Sequence, residues 1–265
     1  MWPVEFKATR DVGTELSATR ALFAFLLAYA FSLLFLWKGD PRFSLKYKKA
    51  PSFHHLLLMS MIGTSVLLGL LVVSNVFFGH DLVTVFGIDH MALRWDDILW
   101  GLVSGFGLIP LLLSVEASVS AFRHSVLRRS ESRREEQLKR IIFGSMPRSQ
   151  SLMLALLAAT SLKAAFFEEL IFRGYLLTNL MLLFSPPISI VAQALVFFLG
   201  HLYQGVYNAV MPFTLGTILG LVFYLTGSLT AVMIGHFVAD MILLAIQAIA
   251  MGKGRLQIGS PRRAV

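Results

Sequence analysis

Seven apolar runs, each near the roughly 20 residues that a membrane crossing needs, constrain this chain more than any other feature. They fall near 20–37, 55–78, 97–122, 150–183, 187–204, 209–226 and 229–250. Composition agrees: 14% of the 265 residues are charged, against the ~25% usual for soluble domains. The hydrophobic share is 56% and there are 22 Phe. With no cysteine, a disulfide-stapled domain, a thiolate metal site and a cysteine nucleophile are excluded, and this hydrophobicity also excludes a disordered chain. The expected fold is all-α, a polytopic membrane helix bundle of about seven transmembrane helices, within a range of six to eight. Pro186-Pro187 turns the chain between the fourth and fifth runs. The stretch 150–183 is long for one crossing, so a tilted span or an interfacial turn plus a span is expected there.

Basic residues set the expected orientation. Lys38, Arg42, Lys46, Lys48 and Lys49 follow the first run. Arg123, Arg128, Arg129, Arg133, Arg134, Lys139, Arg140 and Arg148 fill the segment after the third, and Lys253, Arg255, Arg262 and Arg263 occupy the tail. The loop 79–96 holds only Arg94 beside Asp81, Asp89 and Asp96. The positive-inside rule then places the three basic segments and the C-terminus in the cytoplasm, in a plasma or inner membrane. Lys7, Arg10 and Arg20 weigh mildly against an outside N-terminus, and residues 1–20 lack the apolar core of a signal peptide. The net charge of +8 is thus read as topology and contact with the lipid bilayer, not as nucleic-acid binding.

Charges inside the runs are costly and therefore informative. Among the acids they are Glu116, Glu168, Glu169 and Asp240, and among the His only His201 and His236. Glu116 reads as a polar contact near a span end. Glu169 and Arg173 stand four apart with the acid first, the favourable order for a structural ion pair. Glu168 lies ~100° around the helix, with no basic residue at 171 or 172. It is expected to be an unpaired carboxyl, suited to take a proton from water and return it to a leaving group. Phe197 with His201 and His236 with Asp240 form two further pairs at helical spacing. Counting from the outer span ends, Glu168 and His201 lie ~22 Å deep, but His236 and Asp240 only ~10 and ~16 Å. Convergence of all four needs tilt, a shifted boundary or a broken helix. Lys163, Gln193, Tyr203, Gln204 and Asn208 are candidates to line a wet cavity, and Gly216 with Gly220 fits close helix packing.

Glu168-Glu169-Leu170-Ile171-Phe172-Arg173 reads as EExxxR, Phe197–His201 as FxxxH and His236–Asp240 as HxxxD. In this order on successive apolar runs, these motifs resemble the CPBP family of intramembrane proteases, which covers CAAX prenyl proteases and Abi-like bacteriocin-processing or immunity proteins. The resemblance covers about 150–250, a catalytic helix bundle preceded by N-terminal transmembrane helices and a basic loop (1–149) and followed by a basic tail (251–265). It implies that Glu168 is the catalytic glutamate and that His201 helps it orient and deprotonate water. It also implies that His236 and Asp240 bind the carbonyl oxygen or hold the site together, with Glu169 and Arg173 as the structural pair. Asp240 stands where many members carry Asn. An ionised Asp cannot donate to an oxyanion, and the alternative is that it fixes and charges His236. No metal cofactor is favoured, because glutamate and histidine suffice to activate water; zinc on Glu168, His201 and His236 is the alternative.

The expected function is therefore hydrolysis of a peptide bond in a membrane-associated protein or peptide substrate. Prenylated CAAX-type proteins and bacteriocin or peptide precursors are the classes that the resemblance implies. The competing readings are a non-catalytic immunity or scaffold protein, and a proton-coupled transporter relaying through Glu168 or Asp240. The absence of an internal repeat argues against the transporter.

Overall fold

A computed structural model describes residues 12–39, 53–128, 147 and 149–258. The chain is all-α, a polytopic helical bundle with no strand among the described residues. Its helices are α1 (Val12–Gly39), α2 (Phe53–Phe77), the one-turn α3 (Leu82–Val85), α4 (Trp95–Ser125), α5 (Gln150–Leu183), α6 (Pro186–Gly200), α7 (Val210–Thr226) and α8 (Leu229–Ile258). Five of these, α1, α2, α4, α5 and α8, are long and apolar enough to cross a membrane; α6 and α7 are shorter apolar helices. Large side chains face outward, with Phe77 83% and Trp95 85% exposed. Such surface is stable in lipid and costly in water.

The apolar runs locate the helices, and the ends differ. The first helix starts at Val12 rather than near residue 20, because Ala18 and Ala21 already pack in the core. The last continues to Ile258, so the expected tail begins as helix. The stretch 150–183 is one helix without an interfacial turn. Most basic residues that set the expected orientation lie outside the described residues: Arg42 to Lys49, Arg129 to Arg140, Arg148, and Arg262 with Arg263.

Helix α5 is the hub. Its α-helical start, Gln150–Lys163, gives way to π-helical turns at Ala164–Glu168 and Leu170–Leu177 before α-helix resumes at Thr178. The face of α1 bearing Ala21, Phe25, Ala28 and Tyr29 repeats every three to four residues, as a buried helical stripe must. It meets α5 through Phe25 and Tyr29, whose rings each lie 6.3 Å from that of Phe172. On the other flank, α4 and α8 approach closely. A Cβ on Gly101 would come within 2.6 Å of Ile234, and one on Gly105 within 2.8 Å of Val238. The glycines let two backbones meet where lipid supplies no hydrophobic drive between helices. Gly216 and Gly220 serve the same purpose between α7 and α6, facing Ala194 and Gln193.

Gly174 tests how tightly the hub is fitted. A Cβ there would lie 2.2 Å from the carbonyl oxygen of Phe86, in the turn that Gly87 makes at φ +60°. Gly174→Ala must push this turn away, and a destabilisation of about 1–3 kcal/mol is expected. Thermal melting of the purified protein in detergent checks this; an unchanged midpoint would show that the turn yields freely.

Candidate active site

The two glutamates sit where α5 changes its winding. Glu168 ends the first π segment, Glu169 alone is α-helical, and Leu170 begins the second. π-Helical insertions are frequent at functional sites because they turn side chains out of the regular α register.

Glu169 points into the protein. One of its oxygens, Oε1, accepts from Arg173 Nη1 at 2.6 Å and lies 2.5 Å from His236 Nδ1. Both side chains of the Glu169–Arg173 pair are 0% exposed, so neither charge has water to fall back on. Arg173 reaches across to donate to the Gly216 carbonyl at 3.2 Å, and its guanidinium lies 5.4 Å from the centre of the Phe197 ring. His236 continues the chain of charges, its Nε2 standing 3.5 Å from Asp240 Oδ2.

Glu168 faces the other way, into a cavity of about 120 Å³. Tyr29 and Ser32 of α1, Ser60 and Thr64 of α2, Lys163, Phe172, Phe197, His201 and Tyr203 share its lining. Glu168 is not the unpaired carboxyl that the sequence suggested: Lys163 Nζ stands 3.6 Å from its Oε1. Regular α-helical pairing joins residues three or four apart, but this cation lies five residues back. In a regular α-helix that spacing puts the two side chains ~140° apart, whereas a π turn closes i to i+5 and brings them to one side.

His201 also departs from expectation. It lies just beyond the last turn of α6, as the residue that ends the helix, with φ −103° and ψ 1°. Its Nδ1 bonds the Phe197 carbonyl at 2.8 Å. A carbonyl only accepts, so Nδ1 carries a proton, and in the neutral ring Nε2 keeps the lone pair. The FxxxH spacing thus fixes a tautomer, and the Phe ring, 4.8 Å from Phe172 and 4.5 Å from His201, links the two motifs. At ~1.5 Å per residue, the 15 residues of α6 span about 22 Å of a hydrocarbon layer ~30 Å thick. Irregular backbone within a bundle in the bilayer is tolerated where it lines a cavity, and the turn at His201 and Tyr203 lines this one.

The structure therefore groups the six ionisable motif residues in two sets. Glu168 and His201 share the cavity, while Glu169, Arg173, His236 and Asp240 form a charged chain behind it. His236 and Asp240 are not among the residues lining the cavity, although both lie within electrostatic range of His201. Among the described residues, no three His, Asp or Glu side chains group so as to hold a metal ion. Of the alternative zinc set, His236 has its two ring nitrogens turned to Glu169 and Asp240.

Of the other polar candidates, Lys163 and Tyr203 line the cavity. Gln204 donates to the Tyr203 hydroxyl at 3.0 Å. Gln193 is fully buried elsewhere, against Gly220. Asn208 lines a smaller cavity with Glu116 and Arg123, and Glu116 itself is exposed. Sequence reasoning missed Tyr29, Ser32, Ser60 and Thr64. Each is an isolated, weakly polar residue in an apolar run, a pattern carrying no signal of its own.

Residues 150–242 match the model of the family described as Type II CAAX prenyl endopeptidase Rce1-like. The match bears out the resemblance drawn from the three motifs. It supports, at the level of the family, a CAAX-type intramembrane protease, and with the apolar helices it supports an integral membrane protein. No curated protein and no solved structure matches the chain.

Proposed function

We propose that this chain, whose residues 150–242 match the Rce1-like family, is an intramembrane endopeptidase in which Glu168 and His201 activate water. The observation carrying this reading is that both side chains, 33 positions apart in sequence, line one cavity in the bundle. Glu168 takes a proton from water as the water oxygen bonds to the peptide carbonyl carbon. The resulting tetrahedral species collapses with rupture of the C–N bond, and Glu168 returns the proton to the leaving nitrogen. His201, held in one tautomer by Phe197, presents Nε2 to orient the water.

His236 and Asp240 hold the site together in this reading. With Glu169 and Asp240 ionised, both carboxylates only accept, so both ring nitrogens of His236 donate and the ring is positive. An Asp in place of Asn then makes sense, because it balances that charge rather than donating to an oxyanion. Residues 150–250 are the catalytic bundle, with the basic segments and the C-terminus on the cytoplasmic side. The substrates are membrane-associated prenylated CAAX-type proteins or bacteriocin and peptide precursors. Nucleic acid is not a partner.

Peptides in membranes from cells carrying the wild type or Glu168→Gln test the reading. Cleaved products are expected with the wild type, and uncut precursors accumulate with the variant. Identical peptide profiles would overturn it. The reaction so written needs no metal. Full activity is expected after exhaustive treatment with a membrane-permeant chelator, and a loss restored by zinc would refute the metal-free mechanism.

A further inference from the structure

Lys163 occupies an unusual position for a cation. It lies in an apolar helix, its side chain is 9% exposed, and it stands 3.6 Å from Glu168 Oε1. Its Nζ donates to Ser60 Oγ at 2.9 Å. Ser60 belongs to α2, outside the segment that matches the family. Thus α2 holds Lys163, and Lys163 in turn engages Glu168 at the cavity wall. Among the described residues, no other lysine and no arginine lines that cavity. A flexible carboxylate with one fixed cation beside it has a preferred orientation, and a general base works only when its oxygen is within reach of the proton.

We infer that Lys163, held by Ser60, is the positioning residue that sets the Glu168 carboxylate in the cavity. The inference rests on the reading of Glu168 as the general base. It also makes the N-terminal helices part of the site: without α2, Lys163 loses its hydroxyl acceptor and Glu168 its fixed neighbour. The π turn at Ala164–Glu168 is what brings the two charges together, so an α-helical turn there would undo the arrangement.

The test uses the full chain in detergent and a precursor peptide cleaved by the wild type but not by Glu168→Gln. Lys163→Met is expected to lower kcat by about 10²-fold, the scale of a misplaced catalytic group, with KM little changed. Lys163→Arg, which keeps the charge, recovers most of that loss. Ser60→Ala keeps both charges and gives a smaller fall in kcat; it decides the matter if Lys163→Met does not fold. A second readout needs no substrate. In infrared difference spectra against Glu168→Gln, Lys163→Met displaces the Glu168 carboxylate band and Lys163→Arg leaves it near its wild-type place.

Wild-type kcat in Lys163→Met, a loss confined to KM, no recovery with arginine, or an unmoved carboxylate band would each overturn the inference. If Lys163→Met does not fold, wild-type kcat in Ser60→Ala overturns it. Cleavage by Glu168→Gln would instead overturn the assignment of the base itself, so the two failures are distinguishable.

Discussion

Glu168→Gln is expected to abolish measurable cleavage while the protein still inserts and melts as the wild type does. The amide has the shape of the carboxylate but cannot take a proton from water. General-base catalysis contributes about 10²–10⁴-fold, which corresponds to about 2.7–5.4 kcal/mol of barrier. Folding should tolerate the change because the Glu168 side chain is 18% exposed to its cavity, and Lys163 keeps its bond to Ser60. Turnover of a precursor peptide, measured beside the melting midpoint, separates the two effects. Undiminished turnover would mean that Glu168 is not the base.

Arg173→Met should do the opposite, acting on stability before it acts on chemistry. Its side chain and that of Glu169 are 0% exposed, and the substitution leaves the carboxylate with His236 as its remaining ionic neighbour. The Gly216 carbonyl also loses its donor from α5. Breaking a buried pair by removing one partner costs about 3–5 kcal/mol, here because two carboxylates, Glu169 and Asp240, are left to share the one His236 ring. The expected result is a large fall in melting midpoint and in the amount of inserted protein. The double variant Glu169→Gln/Arg173→Met should regain part of that loss, since it buries no orphaned charge. A single variant as stable as the wild type would show that the pair is dispensable.

These two neighbours in sequence, Glu168 and Glu169, therefore have opposite consequences, and the division between them was partly legible beforehand. The i, i+4 spacing with Arg173 identified the inward pair, and the cost of an intramembrane charge marked Glu168 as an exception. The partner of Glu168 was missed for a definite reason. Periodicity arguments assume ~3.6 residues per turn, and the turn from Ala164 to Glu168 does not keep that period. His201 was located, but its place at the end of a 15-residue helix was not. The apolar run continues through Leu202 to Tyr203, and the one mark of where winding stops is Gly200, a weak one because Gly is frequent inside membrane helices. The cavity walls from α1 and α2 had no signal, since single hydroxyls are common in apolar helices, where they bond back to their own backbone.

What the sequence determined alone was a membrane-embedded helical bundle and which ionisable residues stand inside its apolar runs. Both follow from local quantities: the length of apolar runs, which must match the bilayer, and the energetic exception of a charge within one. The tertiary structure decided which of those residues meet. Lys163 reaches Glu168 through a π turn, His236 joins Glu169 rather than the cavity, and α2 supplies the hydroxyl that holds the lysine. Such contacts depend on the local winding of α5 and on the length and packing of the other helices, and a fixed α-helical spacing does not encode them.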